Sequence, residues 1–363
     1  MRMNTDVLIV GGGLSGLALA CQLQTAQVDY HLVEARPWFG GRIDTKYVEA
    51  GGQKGYFDTG PTWFWPGQFR IEKLIRALDL TPFLQYADGE LTFEDEQGQV
   101  MRGRGYASMA GSYRLEGGLS ALVDGLKQQL KVAHYSLGLR VTALQQSADK
   151  ITTTCIDADH KDHTIICNRV VLALPPRVAI ERIQFSPALP PSAKEAMEGI
   201  PTWMAGQAKA IAIYERPFWR EAGLSGDAMS RTGPMVEIHD ASPATGGPYA
   251  LFGFVGVPVA VRQQNREALQ QAAVHQLERL FGPDALNPME LIVQDWACEP
   301  ETATPLDYAP QSNHPAYGLP HALANLWQGR LIFGSTEVAP NFGGYLEGAL
   351  EASEMVAKIL IKS

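Results

Sequence analysis

A glycine-rich turn between two short apolar strands is the feature that most constrains the fold of this chain. The stretch DVLIVGGGLSGLALA predicts a buried strand over Val7–Val10 and an apolar helix from Leu14 to Gln24. A second strand is predicted over Asp29–Val33 and ends at Glu34. A strand, a helix and a second strand in so short a stretch are the opening unit of a doubly wound parallel sheet. The sequence therefore predicts an α/β fold with a Rossmann-like domain.

The spacing of the glycines predicts a dinucleotide site. In the pattern Gly11-x-Gly13-x-x-Gly16, the first glycine permits a tight turn, the second lets the backbone approach a pyrophosphate, and the third lets the helix pack closely on the strand. Free N–H groups at the start of the helix then face the anion. Glu34, about 20 residues further on, is positioned to accept hydrogen bonds from ribose hydroxyls. This pattern alone fits either FAD or NAD.

Charge and cysteine usage exclude several classes of protein. The chain has 363 residues and a net charge of -9, which argues against binding to nucleic acid or to an anionic membrane. No stretch approaches the roughly 20 apolar residues of a membrane span. The 4 cysteines are scattered without metal-ligand spacing, so we expect no metal site and reduced thiols in a cytoplasmic protein.

A second glycine pair distinguishes between the two cofactors. The segment from Glu34 to Arg42 reads E-A-R-x-x-x-G-G-R, in which a backbone nest and two arginines are suited to a second contact with a pyrophosphate. Here the sequence resembles the flavin-containing amine oxidase family of monoamine, polyamine and L-amino-acid oxidases. The resemblance implies FAD as the cofactor.

Four later segments resemble the same family. FDTGPTWFW is similar to its segment near the flavin, RLEGGLSALVDGL to its Gly-Gly helix start, VVLALPP to its diproline, and GSTEVAPNFGGYLEGALEA to its C-terminal signature. The positions that the resemblance implies for FAD binding are Gly11, Gly13, Leu14, Ser15, Gly16, Glu34, Ala35, Arg36, Gly41, Arg42, Gly60, Pro61, Thr62, Val141, Leu174, Pro175, Trp296, Glu337, Gly344, Tyr345 and Leu346.

The resemblance also implies three catalytic residues. Lys209 matches the lysine that holds a water near the flavin, and its apolar neighbours favour a buried side chain. Tyr345 matches one wall of an aromatic cage that flanks the amine. Trp296 resembles the tryptophan beside the flavin, and Tyr308 is a shifted candidate for the second wall of the cage.

Two departures from the family pattern affect the predicted site. Cys298 comes too early in the chain to match the cysteine that attaches FAD in animal monoamine oxidases, so we expect non-covalent FAD. Only about 50 residues separate Trp65 from Arg114, where the family inserts a longer part of its substrate domain. The shortened lid implies a wide site, lined by Trp63, Phe64 and Trp65, that accepts bulky substrates or is completed by a second copy or a partner chain.

The predicted domains are discontinuous along the chain. Residues 1–65, 112–190 and 325–363 form the FAD-binding domain, and residues 66–111 and 191–324 form an α+β substrate domain. Residues 220–248, rich in Gly, Ser and Pro, are predicted to be surface loops.

The expected activity is FAD-dependent oxidation of a small-molecule amine to an imine, which water hydrolyses to an aldehyde or ketone, while O2 is reduced to hydrogen peroxide. Two alternatives stay open at this point. One is a flavin desaturase or protoporphyrinogen-type oxidase with a large apolar substrate. The other is a flavin-binding subunit without amine oxidase activity of its own.

Overall fold

A computed structural model describes residues 2–50, 52–309, 311 and 313–361 of the chain. The strands are β1 (Arg2–Asn4), β2 (Val7–Val10), β3 (Tyr30–Val33), β4 (Thr45–Ala50), β5 (Gln53–Asp58), β6 (Pro82–Leu84), β7 (Glu90–Glu94), β8 (Val100–Gly103), β9 (Tyr113–Leu115), β10 (Tyr135–Ser136), β11 (Arg140–Ser147), β12 (Lys150–Ile156), β13 (Asp162–Cys167), β14 (Arg169–Leu172), β15 (Gln184–Ser186), β16 (Ala208–Tyr214), β17 (Leu224–Ser230), β18 (Met235–Asp240), β19 (Tyr249–Val255), β20 (Glu290–Asp295) and β21 (Leu331–Phe333). The helices are α1 (Leu14–Thr25), α2 (Phe69–Ala77), α3 (Ser120–Gln129), α4 (Pro176–Arg182), α5 (Pro191–Gly199), α6 (Phe218–Glu221), α7 (Val259–Arg262), α8 (Arg266–Phe281) and α9 (Leu346–Ile361).

A parallel sheet with the order β10-β3-β2-β14-β21 contains strands from both ends of the chain. The predicted opening strand, helix and second strand are confirmed, and each residue of β2 is buried because both faces of the sheet are covered. Val7 and Ile9 pack in one core cluster with α1, α3 and α9, whereas Leu8 and Val10 pack in a second cluster with β11, β12 and β13. Those three strands belong to a second sheet with the order β1-β13-β12-β11-β15.

A third sheet has seven strands in the order β20-β16-β19-β18-β17-β7-β8. One of its faces packs against α8. The other face includes Ile211, Ile213 and Phe252, and it contacts Phe57 and Trp63 from the first part of the chain. The pairs β4–β5 and β6–β9 form two small additional sheets.

The prediction of loops over residues 220–248 is wrong at Leu224–Ser230 and Met235–Asp240. β17 and β18 are strands of the large sheet, and their small polar residues serve packing rather than turns. Gly226 has a φ of +83°, and a Cβ atom there would lie 3.0 Å from the Trp219 ring and 3.1 Å from Asp240. The hydroxyl of Ser230 donates to Glu94, 2.6 Å away. The Gly and Ser content thus reflects close packing inside the sheet, which composition does not distinguish from a surface loop.

Across the described residues, no helix has both the length and the apolar character needed to cross a membrane.

Candidate functional site

A cavity of about 480 Å³ lies at the carboxyl ends of β2, β3 and β14. Ligands of doubly wound folds bind at this edge of the parallel sheet. The other wall of the cavity comes from the seven-stranded sheet, through Lys209 on β16, Glu237 on β18 and Phe254 on β19. The cavity therefore joins the dinucleotide-binding edge of one sheet to one face of another.

The glycine turn at the entry to α1 has the geometry that its spacing predicts. Gly11 has a φ of +108°, which is accessible to glycine but strained for other residues. A Cβ atom on Gly16 would lie 2.0 Å from the Gly11 carbonyl oxygen, so only glycine lets the helix start this close to the turn. Gly13 faces the cavity and is not crowded in this way.

Glu34 connects the first glycine turn to the second. Its Oε2 atom accepts from the Gly12 N–H at 2.6 Å, and its Oε1 atom accepts from the Arg36 N–H at 2.8 Å. The Gly40 N–H in turn donates to the Gly12 carbonyl at 3.0 Å. Burial raises the pKa of Glu34, and the two backbone donors partly offset that effect. The carboxylate lines the cavity with acceptor capacity remaining for a ligand hydroxyl.

The two predicted arginines are held by residues far away in the chain. Arg36 Nη2 donates to Thr302 Oγ1 at 3.1 Å and to Glu299 Oε2 at 3.3 Å. Arg42 Nη1 donates to the Trp203 carbonyl at 3.3 Å. Both guanidinium groups line the cavity, and Arg36 is almost fully buried.

Glu337 is a buried carboxylate that forms an ion pair with Arg42. Arg42 Nη2 lies 2.7 Å from its Oε1 atom but outside hydrogen-bond geometry, and among the described residues neither carboxylate oxygen receives a donor. The hydroxyl of Ser335 beside it is also unpaired within the described part of the chain. Unsatisfied buried polar atoms are uncommon in folded proteins, and they mark this position as one where a ligand supplies the partners.

Lys209 projects from β16 toward the loop at residues 60–62. Its Nζ atom donates to the Gly60 carbonyl and to Thr62 Oγ1, the latter at 2.7 Å. The ring centroids of Phe252 and Phe254 lie 4.7 and 5.4 Å from Nζ. Burial lowers the pKa of Lys209, while the nearby Asp58 carboxylate opposes this shift. The expectation that this lysine points into the protein rather than into solvent is confirmed, since it is 5% exposed.

The aromatic residues around Tyr345 differ from the predicted cage. Tyr308 is 40% exposed and lines a separate cleft, so its assignment as the second wall is wrong. Instead, His314 stacks on Tyr345 with 4.9 Å between ring centroids and an interplanar angle of 16°. Trp203 packs on His314 at 4.6 Å. Rings at the Tyr345–His314 separation are in contact and leave no space for an amine between them. The sequence hides this partner because His314 belongs to an irregular segment without a helical or strand pattern.

Nearly all of the predicted site residues line this one cavity. Two of the proposed cofactor and catalytic positions do not line it. Gly16 packs against the Gly11 carbonyl, and Glu337 pairs with Arg42, which does line the cavity. Trp296 lines the cavity and donates from Nε1 to the Thr59 carbonyl at 3.0 Å. Trp63 and Trp65 also line it, as expected, but Phe64 is buried against Tyr113. Sequence reasoning missed a number of lining residues, among them Trp203, Met204, Gln207, Glu237, Phe254 and Thr302.

Comparison with known proteins assigns the family. The family model described as "Flavin containing amine oxidoreductase" matches residues 86–361, which is more than half of the chain. The chain belongs to the flavin-containing amine oxidoreductase family. A second family model, for an NAD(P)-binding Rossmann-like domain, matches residues 9–78.

Two relatives of this flavin amine oxidoreductase, both named as flavin-containing amine oxidases, match it over nearly the whole chain. It is 26% identical to "Probable flavin-containing monoamine oxidase A" of Dictyostelium discoideum, over 97% of this chain and 96% of that protein. It is 23% identical to flavin-containing amine oxidase B of Sus scrofa, over 99% of this chain and 87% of that protein. The alignment with the Dictyostelium protein runs over 459 positions, so that relative carries segments which the 363 residues of this chain lack.

The fold of the flavin amine oxidoreductase is shared with solved structures. The wild-type putrescine oxidase bound to putrescine superposes with a TM-score of 0.81 and 20% identity, covering 100% of both chains. This superposition shows that the chain has the α/β architecture of these enzymes. The family match over residues 86–361 makes it an FAD-dependent oxidoreductase of the amine oxidase type. Its cavity fits FAD, because the glycine turn, the acceptor Glu34 and the Ser335 hydroxyl, which has no partner among the described residues, match the groups that a dinucleotide presents.

Proposed function

We propose that the chain binds FAD non-covalently in this cavity and oxidises a small-molecule amine to an imine, with O2 as the electron acceptor and hydrogen peroxide as the reduced product. The observation that carries the proposal is the buried Lys209 at the junction of the two sheets, next to the loop at residues 60–62. Hydrolysis of the imine by water would give an aldehyde or ketone and ammonia or a smaller amine. When bound, FAD supplies the capacity to accept a hydride equivalent from the carbon next to the amine nitrogen.

The proposed FAD contacts follow from the donors and acceptors that face the cavity. The N–H groups at the start of α1 would bind the pyrophosphate, and Glu34 would accept from the ribose. Arg42 supplies a further positive charge near the phosphates. Glu337 would contribute to this site by holding Arg42 through their ion pair, and the Ser335 hydroxyl, which has no partner among the described residues, would bond to the cofactor.

Lys209 would act as a hydrogen-bond acceptor once it is neutral. A neutral amine has two N–H groups and one lone pair. The Gly60 carbonyl and the Thr62 hydroxyl oxygen can accept hydrogen bonds from the two N–H groups. The lone pair is then available to a water molecule that holds or accepts a proton during amine oxidation. Burial makes the neutral form accessible near neutral pH because it lowers the pKa of this group.

Tyr345, Trp296, Trp65 and Phe254 would form an apolar enclosure for the substrate, since each of them lines the cavity. Tyr345 remains 36% exposed, which fits a shortened lid and a wide entrance. Such an entrance suits bulky amines, or is narrowed by a second copy or a partner chain. The division into an FAD-binding and a substrate domain, at the boundaries predicted from the sequence, is part of this proposal.

The test is anaerobic reduction of the flavin in purified holoenzyme. Mono-, di- and polyamines and amino acids are mixed with the protein, and the flavin absorbance is followed. We expect at least one amine to bleach the flavin, and Lys209→Met to slow this reaction strongly. Lys194→Met, on the exposed face of α5 where Lys194 is 61% exposed, is the matched control and should react as the wild type does.

Two results would contradict the proposal. Flavin that no amine reduces would exclude the amine oxidase activity. Flavin that stays attached after denaturation and precipitation of the protein would exclude non-covalent binding. Addition of O2 to the reduced enzyme should restore the absorbance and produce hydrogen peroxide in equal amount.

A further inference from the structure

Glu237 lies in the wall of the cavity that the seven-stranded sheet forms, and the proposed chemistry does not use this carboxylate. It lies in one row with the catalytic candidate Lys209, because Lys209 pairs with Phe254 between β16 and β19, and Phe254 pairs with Glu237 between β19 and β18. All three side chains line the cavity, so they lie on the same face of the sheet. Two strand spacings separate the backbones of Lys209 and Glu237, a distance of about 10 Å.

A β-bulge directs Glu237 into the cavity. The register of β18 with β19 runs from Met235↔Val255 to Glu237↔Phe254, which leaves Val236 as the extra residue. Without the bulge, Val236 would be opposite Phe254, and Glu237 would point to the other face, where Met235 and Ile238 pack with α8. Bulges next to active sites commonly re-aim a side chain in this way. The local backbone geometry therefore supports an acidic side chain in the cavity.

A buried histidine and an exposed serine hold this carboxylate in its charged form. His239 Nε2 lies 3.1 Å from Glu237 Oε1, and its Nδ1 atom contacts the carboxylate of Asp227. The Ser108 hydroxyl donates to the same Oε1 atom at 2.6 Å. The hydrogen bond from His239 lowers the pKa of Glu237 and outweighs the effect of burial. Burial also disfavours charge on His239, but its two carboxylate partners raise its pKa overall.

The position of these contacts leaves part of the carboxylate available to a ligand. Both donors contact Oε1, and no donor from the described residues contacts the other oxygen, Oε2, so this oxygen can accept from a group in the cavity. Two buried carboxylates of this protein pair with arginine instead, since Asp307 pairs with Arg177 and Asp240 with Arg220. Within the described part of the chain, no cluster of His, Cys, Asp and Glu residues could hold a metal ion, so a metal is not the expected occupant.

We infer that Glu237 binds a second cationic group of the substrate, so that the enzyme prefers diamines or polyamines over monoamines of the same length. The inference rests on the proposed amine oxidation, in which the reacting nitrogen lies at the Lys209 end of the row. The second ammonium group would then lie two strands away and donate a charge-assisted hydrogen bond to Glu237. His239, Ser108 and Asp227 are positioning residues for that carboxylate.

The test compares linear α,ω-diamines of increasing length with alkylamines that have the same number of carbon atoms. In the wild type, kcat/KM should favour the diamine, with a maximum at one chain length. In Glu237→Gln, the ratio of diamine to monoamine kcat/KM should fall by about tenfold to a hundredfold, the range for one lost charge-assisted hydrogen bond. Glu290→Gln, an exposed position on β20 of the same sheet, is the matched control and should leave the ratio unchanged.

A second variant covers the case in which Glu237→Gln does not fold. Glu237→Asp keeps the charge but shortens the side chain, so the preferred diamine should become longer by about one methylene group. Equal kcat/KM for diamines and monoamines in the wild type, or a ratio that neither substitution changes, would overturn the inference while amine oxidation still stood. If no amine reduces the flavin, the proposed function fails, and the inference is then tested by diamine-induced changes in flavin absorbance. Equal diamine affinity in the wild type and Glu237→Gln would overturn it there as well.

Discussion

Gly16 offers a sharp test of how the dinucleotide turn is built, because it supports the site without lining the cavity. A Cβ atom at this position would lie 2.0 Å from the Gly11 carbonyl oxygen and 3.1 Å from the carbonyl carbon, and ordinary contacts begin near 3.4 Å. The Gly16→Ala substitution therefore requires the helix start or the turn to move by about 1 Å or more, since neither backbone atom can rotate away.

The size of the effect follows from two opposing terms. Alanine is favoured over glycine in a helix by about 1 kcal/mol. Overpacking typically costs about 1–3 kcal/mol, and here the displaced group is the backbone that presents N–H groups to the cofactor. We expect Gly16→Ala to lower the free energy of unfolding by up to about 2 kcal/mol. We also expect it to weaken FAD binding by about tenfold or more, where tenfold is about 1.4 kcal/mol.

Gly199→Ala is a matched control for this prediction. Gly199 is the last residue of α5, its φ is negative, and a Cβ atom there meets nothing within 4 Å. The control should keep FAD affinity and be as stable as the wild type or slightly more stable. The assays are thermal unfolding with and without FAD, and titration of apoprotein by flavin fluorescence. Wild-type affinity and stability in Gly16→Ala would refute the close approach of α1 to the turn as the reason for this glycine.

Two further predictions concern buried ionisable groups. Because burial lowers the pKa of Lys209 in the folded state, the unfolded state binds more protons between that lowered pKa and the ordinary value near 10.4, so stability contributed by this residue rises with pH in that window. Lys209→Met should therefore have a larger free energy of unfolding than the wild type at neutral pH, and this difference should shrink by at most about 1.4 kcal/mol per pH unit toward pH 10. Urea unfolding of both apoproteins at several pH values measures the difference. A difference that does not change with pH would contradict the burial of a titrating lysine. Burial raises the pKa of Cys155 and Cys167 to about 12 and of Cys21 to about 11. Desolvation also raises the pKa of Cys298, but this thiol is exposed, so a thiol reagent should label Cys298 first under native conditions. Cys298→Ser should remove that fast phase. Rapid labelling of a second thiol in the variant would show that the core around the other cysteines opens.

Local sequence patterns predicted correctly the elements whose residues are suited to only one structural environment, such as a strand buried on both faces. β2 is apolar at every position and is buried on both faces, and the glycine spacing after it requires the turn that is observed. The pattern failed for β17 and β18, where Gly226 and Ser230 serve close contacts with Trp219 and Glu94 that lie elsewhere in the chain.

The sequence by itself determined the doubly wound domain, the dinucleotide turn and the family resemblance, because these depend on short patterns of glycines, apolar strands and charges. Only the tertiary structure decided which side chains lie around the proposed substrate position. His314 stacks on Tyr345 through a segment without regular structure, and Glu237 enters the cavity because one extra residue in β18 shifts its register. Side-chain alternation in a strand is fixed by pairing with neighbouring strands, so a bulge that reverses it is visible only when those strands are assembled.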